Sequence, residues 1–365
     1  MAHQITTVDV PLRERAYGIE IGSGCLDQVA EYIGRLAKLT HAVVISDSNV
    51  SDLYATKVVE QLQASGARVD LAVVAAGEPS KSIEQAHALW QQMLDFRADR
   101  KSVVVPVGGG VIGDLGGFIA ATFARGLSMI QIPTTLLAQV DSSVGGKVGV
   151  NLPAAKNMVG AFWQPRGVLI DIDVLQSLPE REYRAGLAEV VKYGVILDAD
   201  FFAFLEANLA GLNGRDGQVL TEVVATCCRL KAVVVANDER EETGLRAVLN
   251  YGHTFCHAIE SLSGYGEFLH GEAVAIGMLC ASRLAAKMGR IDPALTRRQH
   301  DLLTALALPV GVPDLNHDEL ISCMRRDKKV EHGELRFVLP SRLGHVELVG
   351  QVDEADVRWA LADQA

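Results

Sequence analysis

The sequence lacks the features of secreted, membrane-spanning and nucleic-acid-binding proteins. No apolar run is long enough to cross a bilayer, and the opening MAHQITTVDVPLRER has no apolar signal-peptide core. We therefore expect a cytoplasmic protein. The formal net charge of −11 argues against nucleic acid or an anionic membrane as the partner, because both attract basic surfaces.

Disulfide and zinc-knuckle patterns are also missing. The six cysteines form no Cys-x-x-Cys pair and mostly lie among apolar residues, so we interpret them as reduced core thiols. We find no internal repeat and no low-complexity tract. The 365 residues, 49 % of them hydrophobic and 22 % charged, are typical of a globular protein of about two domains.

The first half of the chain alternates runs rich in Val and Ile with helical patterns. HAVVISD (41–47) and KSVVVPVGGG (101–110) predict buried strands, and SIEQAHALWQQMLDFRA (82–98) predicts a helix between them. This alternation predicts a Rossmann-like α/β domain over residues 1–178, with a parallel sheet covered by helices on both faces. Residues 179–365 are mostly helical in pattern with a short β-like ending, which predicts a mainly α-helical second domain.

A glycine-rich turn follows one of the predicted strands. Gly108-x-Gly110-x-x-Gly113 ends a strand and opens a helix, the context in which glycines and a helix N-terminus bind a pyrophosphate. The next strand ends in Thr134 and Thr135. A simple dinucleotide-binding unit has an Asp or Glu at this place, which binds the ribose. Asp47, after an earlier strand, is the alternative acid, although Asp47-Ser48-Asn49 also has the composition of a helix cap.

A second candidate site lies in the segment DSSVGGKVGVNLPAAKNMVGAFWQP (141–165). Its glycines flank polar residues that suit an oxyanion bound by both backbone and side chains, namely Asp141, Lys147, Lys156 and Asn157. The alternative is a solvated loop with scattered charge. We favour an anion site, to which Arg125 would add charge, because the segment is too apolar for a mere surface loop. A phosphate- or carboxylate-bearing substrate is then expected.

Three of the ten histidines lie in LNYGHTFCHAIESLSGYGEFLHGEAV (249–274). If residues 246–260 form one helix, Arg246, Asn250, His253 and His257 fall on one stripe. Such a stripe is either a solvent face or the wall of a polar cleft, and the apolar residues on the other faces favour the cleft.

These histidines also predict a metal site. Catalytic zinc takes three protein ligands and leaves one position open. His253 supplies one imidazole, and LAEVVKYG offers Glu189 with Lys192 on the same helical face. Residue chemistry alone does not choose between His257 and His270 as the second imidazole.

Seven segments together resemble one family, the 3-dehydroquinate synthases. They run in the family's order over about residues 40 to 340: GGGVIGDLGGFIAATFARG, PTTLLAQVDSSVGGKVGVN, KNMVGAFWQP, LPEREYRAGLAEVVKYG, DEREETGLRAVLNYGHTFCHAIE, LHGEAVAIGM and RRDKK. The resemblance implies a cytosolic homodimer with its active site in the cleft between the two domains. It also implies NAD and one divalent metal, zinc or else cobalt, as cofactors, and a sugar phosphate as substrate.

The implied reaction converts 3-deoxy-D-arabino-heptulosonate 7-phosphate to 3-dehydroquinate and phosphate, the second step of the shikimate pathway to aromatic amino acids. It proceeds by transient oxidation with NAD, β-elimination of phosphate, re-reduction and intramolecular aldol closure, so the enzyme is a cyclising carbon–oxygen lyase. Two alternatives are another sugar-phosphate cyclase and a glycerol-dehydrogenase-like, metal-dependent polyol dehydrogenase. The substrates of the other cyclases lack the carboxylate that Arg246 and Asn250 would bind. A polyol dehydrogenase would not need the set of phosphate-binding lysines.

The resemblance also assigns roles residue by residue. The metal ligands are Glu189, His253 and His270. Nucleotide-contacting positions are matched by Asp47, Asn49, Glu78, Lys81, Gly108, Gly109, Gly110, Gly113, Asp114, Thr134, Thr135, Asp141, Lys147, Lys156, Ser177 and Glu182. Substrate-contacting positions are matched by Arg125 (acting in the neighbouring subunit), Lys147, Asn157, Lys192, Lys231, Arg246, Asn250, His257 and one lysine of the pair Lys328 and Lys329.

Overall fold

The structure is a computed structural model that describes residues 5–153, 155–264, 267–326 and 335–362. The chain divides into two compact units. The first unit comprises Met1–Leu178 and Leu220–Arg240, and the second comprises Pro179–Val219 and Glu241–Ala365. This division differs from the sequence-based boundaries 1–178 and 179–365 by one helical segment, which groups with the first unit although it lies within the second half of the chain.

The first unit is built on a seven-stranded sheet. Its strands are β1 (Thr6–Val10), β2 (Tyr17–Gly22), β3 (His41–Asp47), β4 (Arg68–Val74), β5 (Val103–Gly108), β6 (Ser128–Pro133) and β9 (Gly167–Asp171). The strand order is β1-β2-β9-β6-β5-β3-β4, and every neighbouring pair is parallel except β1 with β2. The predicted parallel sheet is confirmed, and β5 and β9 are buried along their whole length.

Helices cover both faces of this sheet, as predicted. They are α1 (Val29–Leu36), α2 (Thr56–Ala64), α3 (Ile83–Asp95) and α4 (Gly110–Thr122). Most of α8 (Gly217–Asn237) also groups with the first unit. Successive residues of β3 point to opposite faces. Val44 joins the apolar cluster that contains Val58 of α2, whereas Val43 joins the cluster that contains Leu89 of α3.

The strand order places a topological switch point between β3 and β5. The chain runs from β3 to β4 on one side and then returns to β5 on the other side of β3. In open parallel sheets, ligands bind outside the carboxyl ends of the strands at such a point. The residues that follow these two strand ends are Asp47 to Asn49 and the glycine turn from Gly108 to Gly110.

The segment 141–165, which was predicted to hold an anion site, contains a β-hairpin. Strands β7 (Lys147–Leu152) and β8 (Ala155–Phe162) pair in antiparallel fashion. The close pairing depends on Gly149 and Gly160, because a Cβ at either position would lie 2.6 Å or less from a backbone carbonyl oxygen of the other strand. Glycines in strand interiors often mark such close approaches, but a glycine-rich composition is also typical of loops.

The second unit is mainly helical, as predicted. It contains α5 (Glu180–Leu197), α6 (Ala199–Ala207), α7 (Leu209–Asn213), α9 (His253–Leu262), α10 (His270–Lys287), α11 (Pro293–Ala305), α12 (His317–Arg326) and α13 (Glu354–Leu361), with a hairpin of β10 (Phe337–Arg342) and β11 (His345–Val349). Helices α5 and α10, each of 18 residues, are buried on nearly all sides. No helix among the described residues combines the length and the apolarity that crossing a membrane requires.

Residues 246–260 do not form one helix, so the predicted continuous polar stripe is wrong. A 3₁₀-helix covers Leu245–Asn250 and α9 begins only at His253. Between them Gly252 has a φ of 80°, and a Cβ there would lie 2.7 Å from the backbone nitrogen of Met278. The chain therefore bends where its backbone meets α10, and a tertiary contact overrides the helical pattern.

Candidate functional site

Three helices of the second unit bring one carboxylate and two imidazoles together. Glu189 belongs to α5, and His253 and His270 are the first residues of α9 and α10. The Nε2 atoms of His253 and His270 lie 3.9 Å and 3.7 Å from Glu189 Oε1. Candidate ligand atoms of all three residues lie within 4.8 Å of one another, so they can bind one metal ion.

Close packing at Gly271 carries the first turn of α10 to α5. A Cβ on Gly271 would lie 1.8 Å from the carbonyl oxygen of Ala185, one helical turn before the glutamate ligand. Glu272 strengthens the same contact because it forms a salt bridge of 2.7 Å with Arg181 and accepts a 2.8 Å hydrogen bond from the Leu269 backbone. The position of His270 next to α5 thus follows from its immediate neighbours in the sequence.

A second glycine contact places α9 against α10. A Cβ on Gly277 would lie 2.2 Å from the carbonyl oxygen of Gly252, the residue before His253. The aromatic ring of His253 consequently lies 5.3 Å from that of His270, measured between ring centroids. Close contacts at glycines therefore determine the relative positions of the two imidazole rings.

The surroundings of Glu189 fit a metal cation. Its side chain is 1 % exposed, and neither carboxylate oxygen accepts a hydrogen bond from the residues that the structure describes. The ammonium of Lys192 lies against Oε2 as a salt-bridge partner. A buried carboxylate is costly unless cations or donors compensate it, and one carboxylate with two imidazoles suits zinc or cobalt.

His257 lies outside this group. Its ring is edge-on to that of His253, at a centroid distance of 5.6 Å, and it belongs to neither ligand group found among the described residues. The geometry therefore places His270, rather than His257, with His253 and Glu189. This choice is the one that residue chemistry alone left open.

Two cationic side chains of the second unit, those of Lys192 and Arg246, are almost inaccessible to solvent. Lys192 is 2 % exposed and Arg246 is 3 % exposed, which is unusual for either residue type without an anionic partner. Arg246 Nε lies 3.5 Å from Glu241 Oε1, and Asn250 follows one turn later at the end of the same 3₁₀-helix. These side chains offer positive charge and hydrogen-bond donors to an anionic molecule.

A second group of potential ligands lies on the other side of His270. It consists of Cys256, Glu260 and His270, and neither Cys256 nor Glu260 was predicted from the sequence. Burial raises the pKa of Cys256 to about 11, so its thiol is neutral. Burial disfavours a charged His270, but the Cys256 sulfur and the carboxylates of Glu260 and Glu189 raise its pKa well above the ordinary value.

In the first unit, the glycine turn forms the predicted strand–turn–helix. A Cβ at Gly108 would lie 2.7 Å from side-chain atoms of Ile112, so this position has no room for one. Gly113 has room, since the nearest atom to a Cβ there is 3.7 Å away. In such turns the third glycine usually allows the helix to pack closely on the sheet. Here Gly116 and Gly117 have that role, because a Cβ would lie 2.8 Å from Pro106 at Gly116 and 2.3 Å from Val148 at Gly117.

Around the switch point, one predicted nucleotide residue makes a hydrogen bond within its own loop, and another has a buried hydroxyl without such a bond in the part of the chain that the structure describes. Asp47 Oδ1 accepts a 2.8 Å hydrogen bond from the Asn49 backbone, so Asp47 shapes its own loop as a cap does. The hydroxyl of Thr134 is buried and has no hydrogen-bond partner among the described residues. Thr135 packs against Gly109, where a Cβ would meet its methyl group at 3.0 Å.

Lys81 connects two predicted residues of different segments. Its ammonium lies 2.5 Å from Asp114 Oδ2 on α4 and donates a 2.6 Å hydrogen bond to Asn157 Oδ1 on β8. Burial raises the pKa of Asp114 in spite of this neighbouring cation. Asn151, which was not predicted, completes the network because its side chain accepts from Asn157 N at 3.0 Å and donates to Glu78 Oε1 at 2.7 Å.

Lys231 belongs to the first unit together with Asp141. Lys231 is 6 % exposed, and its ammonium donates to the Asp141 carbonyl oxygen at 2.6 Å and to Oδ1 at 2.8 Å. The structure thus pairs Lys231 with a predicted nucleotide residue of its own unit.

The remaining predicted residues are more scattered. Lys147 is exposed at the start of β7, and Lys156 is half-buried on β8. Arg125 is exposed and has a φ of 70° in the turn after α4. Ser177 shares a 2.5 Å hydrogen bond with Tyr54. Glu182 lies in the second unit, and its pKa is raised by partial burial. Lys328 and Lys329 lie outside the described residues.

The fold and the ligand group define the class of protein, an α/β unit combined with a helical metal-binding unit as in the sugar-phosphate cyclases. The chain is similar to the structure of 2-deoxy-scyllo-inosose synthase complexed with carbaglucose-6-phosphate, NAD⁺ and Co²⁺, with a TM-score of 0.89, 28 % identity and coverage of 98 % and 99 % of the two chains. It is also similar to 2-epi-5-epi-valiolone synthase from Streptomyces hygroscopicus with NAD⁺ and Zn²⁺ bound, with a TM-score of 0.86, 28 % identity and coverage of 94 % and 95 %.

Sequence similarity identifies the family within this class. The family models of the 3-dehydroquinate synthase N-terminal and C-terminal parts match residues 71–185 and 186–330. A 3-dehydroquinate synthase from Desulforamulus reducens is 51 % identical over 98 % of this chain and 99 % of its own. The chain belongs to the 3-dehydroquinate synthase family.

Proposed function

We propose that the protein catalyses the reaction of its family, the conversion of 3-deoxy-D-arabino-heptulosonate 7-phosphate to 3-dehydroquinate and phosphate. This makes it a cyclising, phosphate-eliminating lyase of the shikimate pathway. The observation that carries the proposal is the group of Glu189, His253 and His270, with two buried cations in the same unit, in a chain that is similar to its relatives over almost its whole length.

The cofactors are NAD and one divalent metal, zinc or cobalt, as in the two similar structures with these groups bound. Glu189, His253 and His270 would hold the metal, and the glycine turn of the first unit with Asp47 and Thr134 would hold the nucleotide. When bound, the metal supplies a Lewis acid for a substrate hydroxyl, and NAD supplies a hydride acceptor that is regenerated within one turnover.

Arg246 and Asn250 bind the substrate carboxylate in this proposal. A guanidinium can donate two parallel hydrogen bonds to a carboxylate, and its burial strengthens them. This role accounts for a nearly inaccessible cation on a short 3₁₀-helix. Substrates of a cyclase that lack the carboxylate would not use the parallel donors of this guanidinium, so we do not favour such a cyclase.

Lys192 and His257 bind the phosphate group, together with Lys147 and Asn157. Lys192 lies one helical turn after Glu189 and contacts it, so phosphate binding and metal binding share one helix. The leaving phosphate is dianionic and benefits from buried positive charge. A polyol dehydrogenase would not need this group, so we do not favour the glycerol-dehydrogenase-like alternative.

Asp141 and Lys231 lie near the nicotinamide in this proposal, where their ion pair keeps both side chains oriented. Lys81, Asp114, Asn157 and Glu78 form the hydrogen-bonded network beside the nucleotide. We further propose a homodimer in the cytoplasm in which Arg125 completes the site of the neighbouring subunit. All six cysteines are free thiols, which suits a reducing compartment.

Phosphate release tests the proposal. The protein is freed of metal, reloaded with zinc or cobalt, and incubated with the heptulosonate phosphate and NAD at a small fraction of the substrate concentration. We expect phosphate and dehydroquinate in equal amounts and many turnovers per NAD. No release, or one NAD consumed per product, would contradict the proposal, and faster turnover of a sugar phosphate without a carboxylate would favour another cyclase.

A further inference from the structure

The two histidines of the ligand group present the same ring atom to Glu189 but differ in what supports the opposite atom. His253 Nδ1 lies 3.1 Å from the carbonyl oxygen of Tyr251. His270 Nδ1 lies 3.5 Å from Glu260 Oε1 on α9. A carbonyl supports one imidazole, therefore, and a carboxylate supports the other.

The hydrogen bond between His253 and the Tyr251 carbonyl fixes where the lone pair of His253 lies, and hence where a metal cation can bind. A carbonyl oxygen only accepts hydrogen bonds, so His253 Nδ1 carries the proton and the lone pair is at Nε2, the atom that faces Glu189. The residue that carries this carbonyl is itself held in place, because the Tyr251 hydroxyl lies 2.9 Å from Met278 O and 2.8 Å from Gln299 Oε1, either of which accepts its one proton. Both His253 and Glu189 thus direct lone pairs to one point.

A neutral His270 has only one lone pair to offer. If that lone pair is at Nε2, with the other ligands, Nδ1 carries a proton that needs an acceptor inside the protein. Two acceptors lie near Nδ1, Glu260 Oε1 at 3.5 Å and the Cys256 sulfur at 3.8 Å. The carboxylate is the stronger acceptor of the two, and it is 14 % exposed, so little water competes with it. The Cys256 thiol can donate to the second oxygen of Glu260 at 3.6 Å or to the carbonyl oxygen of His270 at 3.9 Å, so the sulfur has a role as a hydrogen-bond donor without a metal.

We propose that Glu260 is a positioning residue for the metal site. It accepts the Nδ1 proton of His270, fixes the ring's orientation and tautomer, and thereby raises the affinity of Nε2 for the metal. The group of Cys256, Glu260 and His270 is accordingly a support for the site and does not bind a metal of its own. This inference rests on the proposed metal-dependent function, but it concerns metal binding rather than the reaction.

The test compares the metal affinity of Glu260→Ala and Glu260→Gln with that of the wild-type full chain, by competition of zinc with a chromophoric chelator. Loss of such a supporting acid typically weakens metal binding about 10- to 100-fold. We expect a loss of this size for Glu260→Ala and a smaller one for Glu260→Gln, whose amide oxygen still accepts a hydrogen bond. Glu206→Ala, which removes an exposed salt bridge with Arg298 in the same unit, is the matched control and should bind zinc normally.

Cobalt spectra provide the second measurement. The visible bands of the cobalt-loaded Glu260→Ala protein should change in position or intensity, because the His270 ring is no longer fixed, and Glu206→Ala should leave them unchanged. Wild-type affinity and an unchanged spectrum in both Glu260 variants would overturn the proposal. So would a thiolate-to-cobalt charge-transfer band that disappears in Cys256→Ala, since it would make Cys256 a ligand.

Two further outcomes are distinguishable. If Glu260→Ala does not fold when metal-free, as judged by circular dichroism, the isosteric Glu260→Gln protein decides the question. If the wild-type protein binds one metal but releases no phosphate, the proposed reaction fails while the affinities of the Glu260 variants still decide the role of Glu260.

Discussion

The two functional regions of this protein are built in different ways. At the proposed nucleotide site of the first unit, backbone turns follow adjacent parallel strands, and several of the predicted residues, among them Asn49, Gly109 and Thr134, lie just after strand ends. In the metal site of the second unit, single side chains from α5, α9 and α10 meet through glycine contacts. The first kind of site depends on local sequence, whereas the second depends on how helices pack.

The largest effect should come from filling the glycine contact that sets the metal site. The Gly271→Val substitution introduces a Cβ that would lie 1.8 Å from the carbonyl oxygen of Ala185, so α10 must move away from α5. We expect a loss of about 3 kcal/mol or more in the free energy of unfolding together with loss of zinc binding. Thermal unfolding and zinc titration measure both.

Gly34→Ala is the matched control for this prediction. Gly34 also lies in a helix, but no atom lies within 4 Å of a Cβ there. Its alanine variant should be as stable as the wild type or more stable by up to about 1 kcal/mol. Equal stability and zinc binding in Gly271→Val and wild type would show that the helix contact does not position His270.

The second prediction separates the two histidines of α9. His253→Ala should lose its metal, and kcat/KM should fall by about 1000-fold or more, since a metal contributes several kcal/mol to such reactions. His257→Ala should keep its metal, because His257 is outside the ligand group. Its kcat/KM should fall about 10- to 100-fold through the lost phosphate contact. Metal analysis and steady-state kinetics measure both, and equal metal loss in the two variants would contradict this division of roles.

The smallest effects should come from the glycine turn of the first unit. Gly113→Ala has room for its methyl group, so NAD affinity should stay within about threefold of the wild type. Gly108→Ala places a Cβ 2.7 Å from Ile112 and should weaken NAD binding about tenfold by shifting the turn. Fluorescence titration of NADH measures both, and a larger loss for Gly113→Ala would contradict the packing described for this turn.

The same contrast explains how much of the protein is predictable from its sequence. The strands from β3 to β6 and the turn at Gly108 have local patterns that their tertiary contacts reinforce. The helix predicted over 246–260 fails at Gly252 because only the contact with Met278 requires a bend there. The hairpin β7–β8 was missed because glycines that allow two strands to pair closely read as loop residues.

The candidate site was predictable to a similar extent. Residue chemistry identified Glu189 and His253, while the choice of His270 needed the family resemblance and agrees with the packing at Gly271. Cys256 and Glu260 lie three and seven residues after His253, a spacing that places all three on one face of α9. That spacing could have indicated a supporting acid, but its partner is on another helix.

The location of the bound metal tests the central claim most directly. Anomalous scattering at the zinc edge from crystals of the zinc-loaded protein locates the ion without reference to activity. We expect a single strong peak bounded by a Glu189 carboxylate oxygen and by the Nε2 atoms of His253 and His270. A peak on the Nδ1 side of His270, next to Cys256 and Glu260, or one coordinated by His257, would contradict the account.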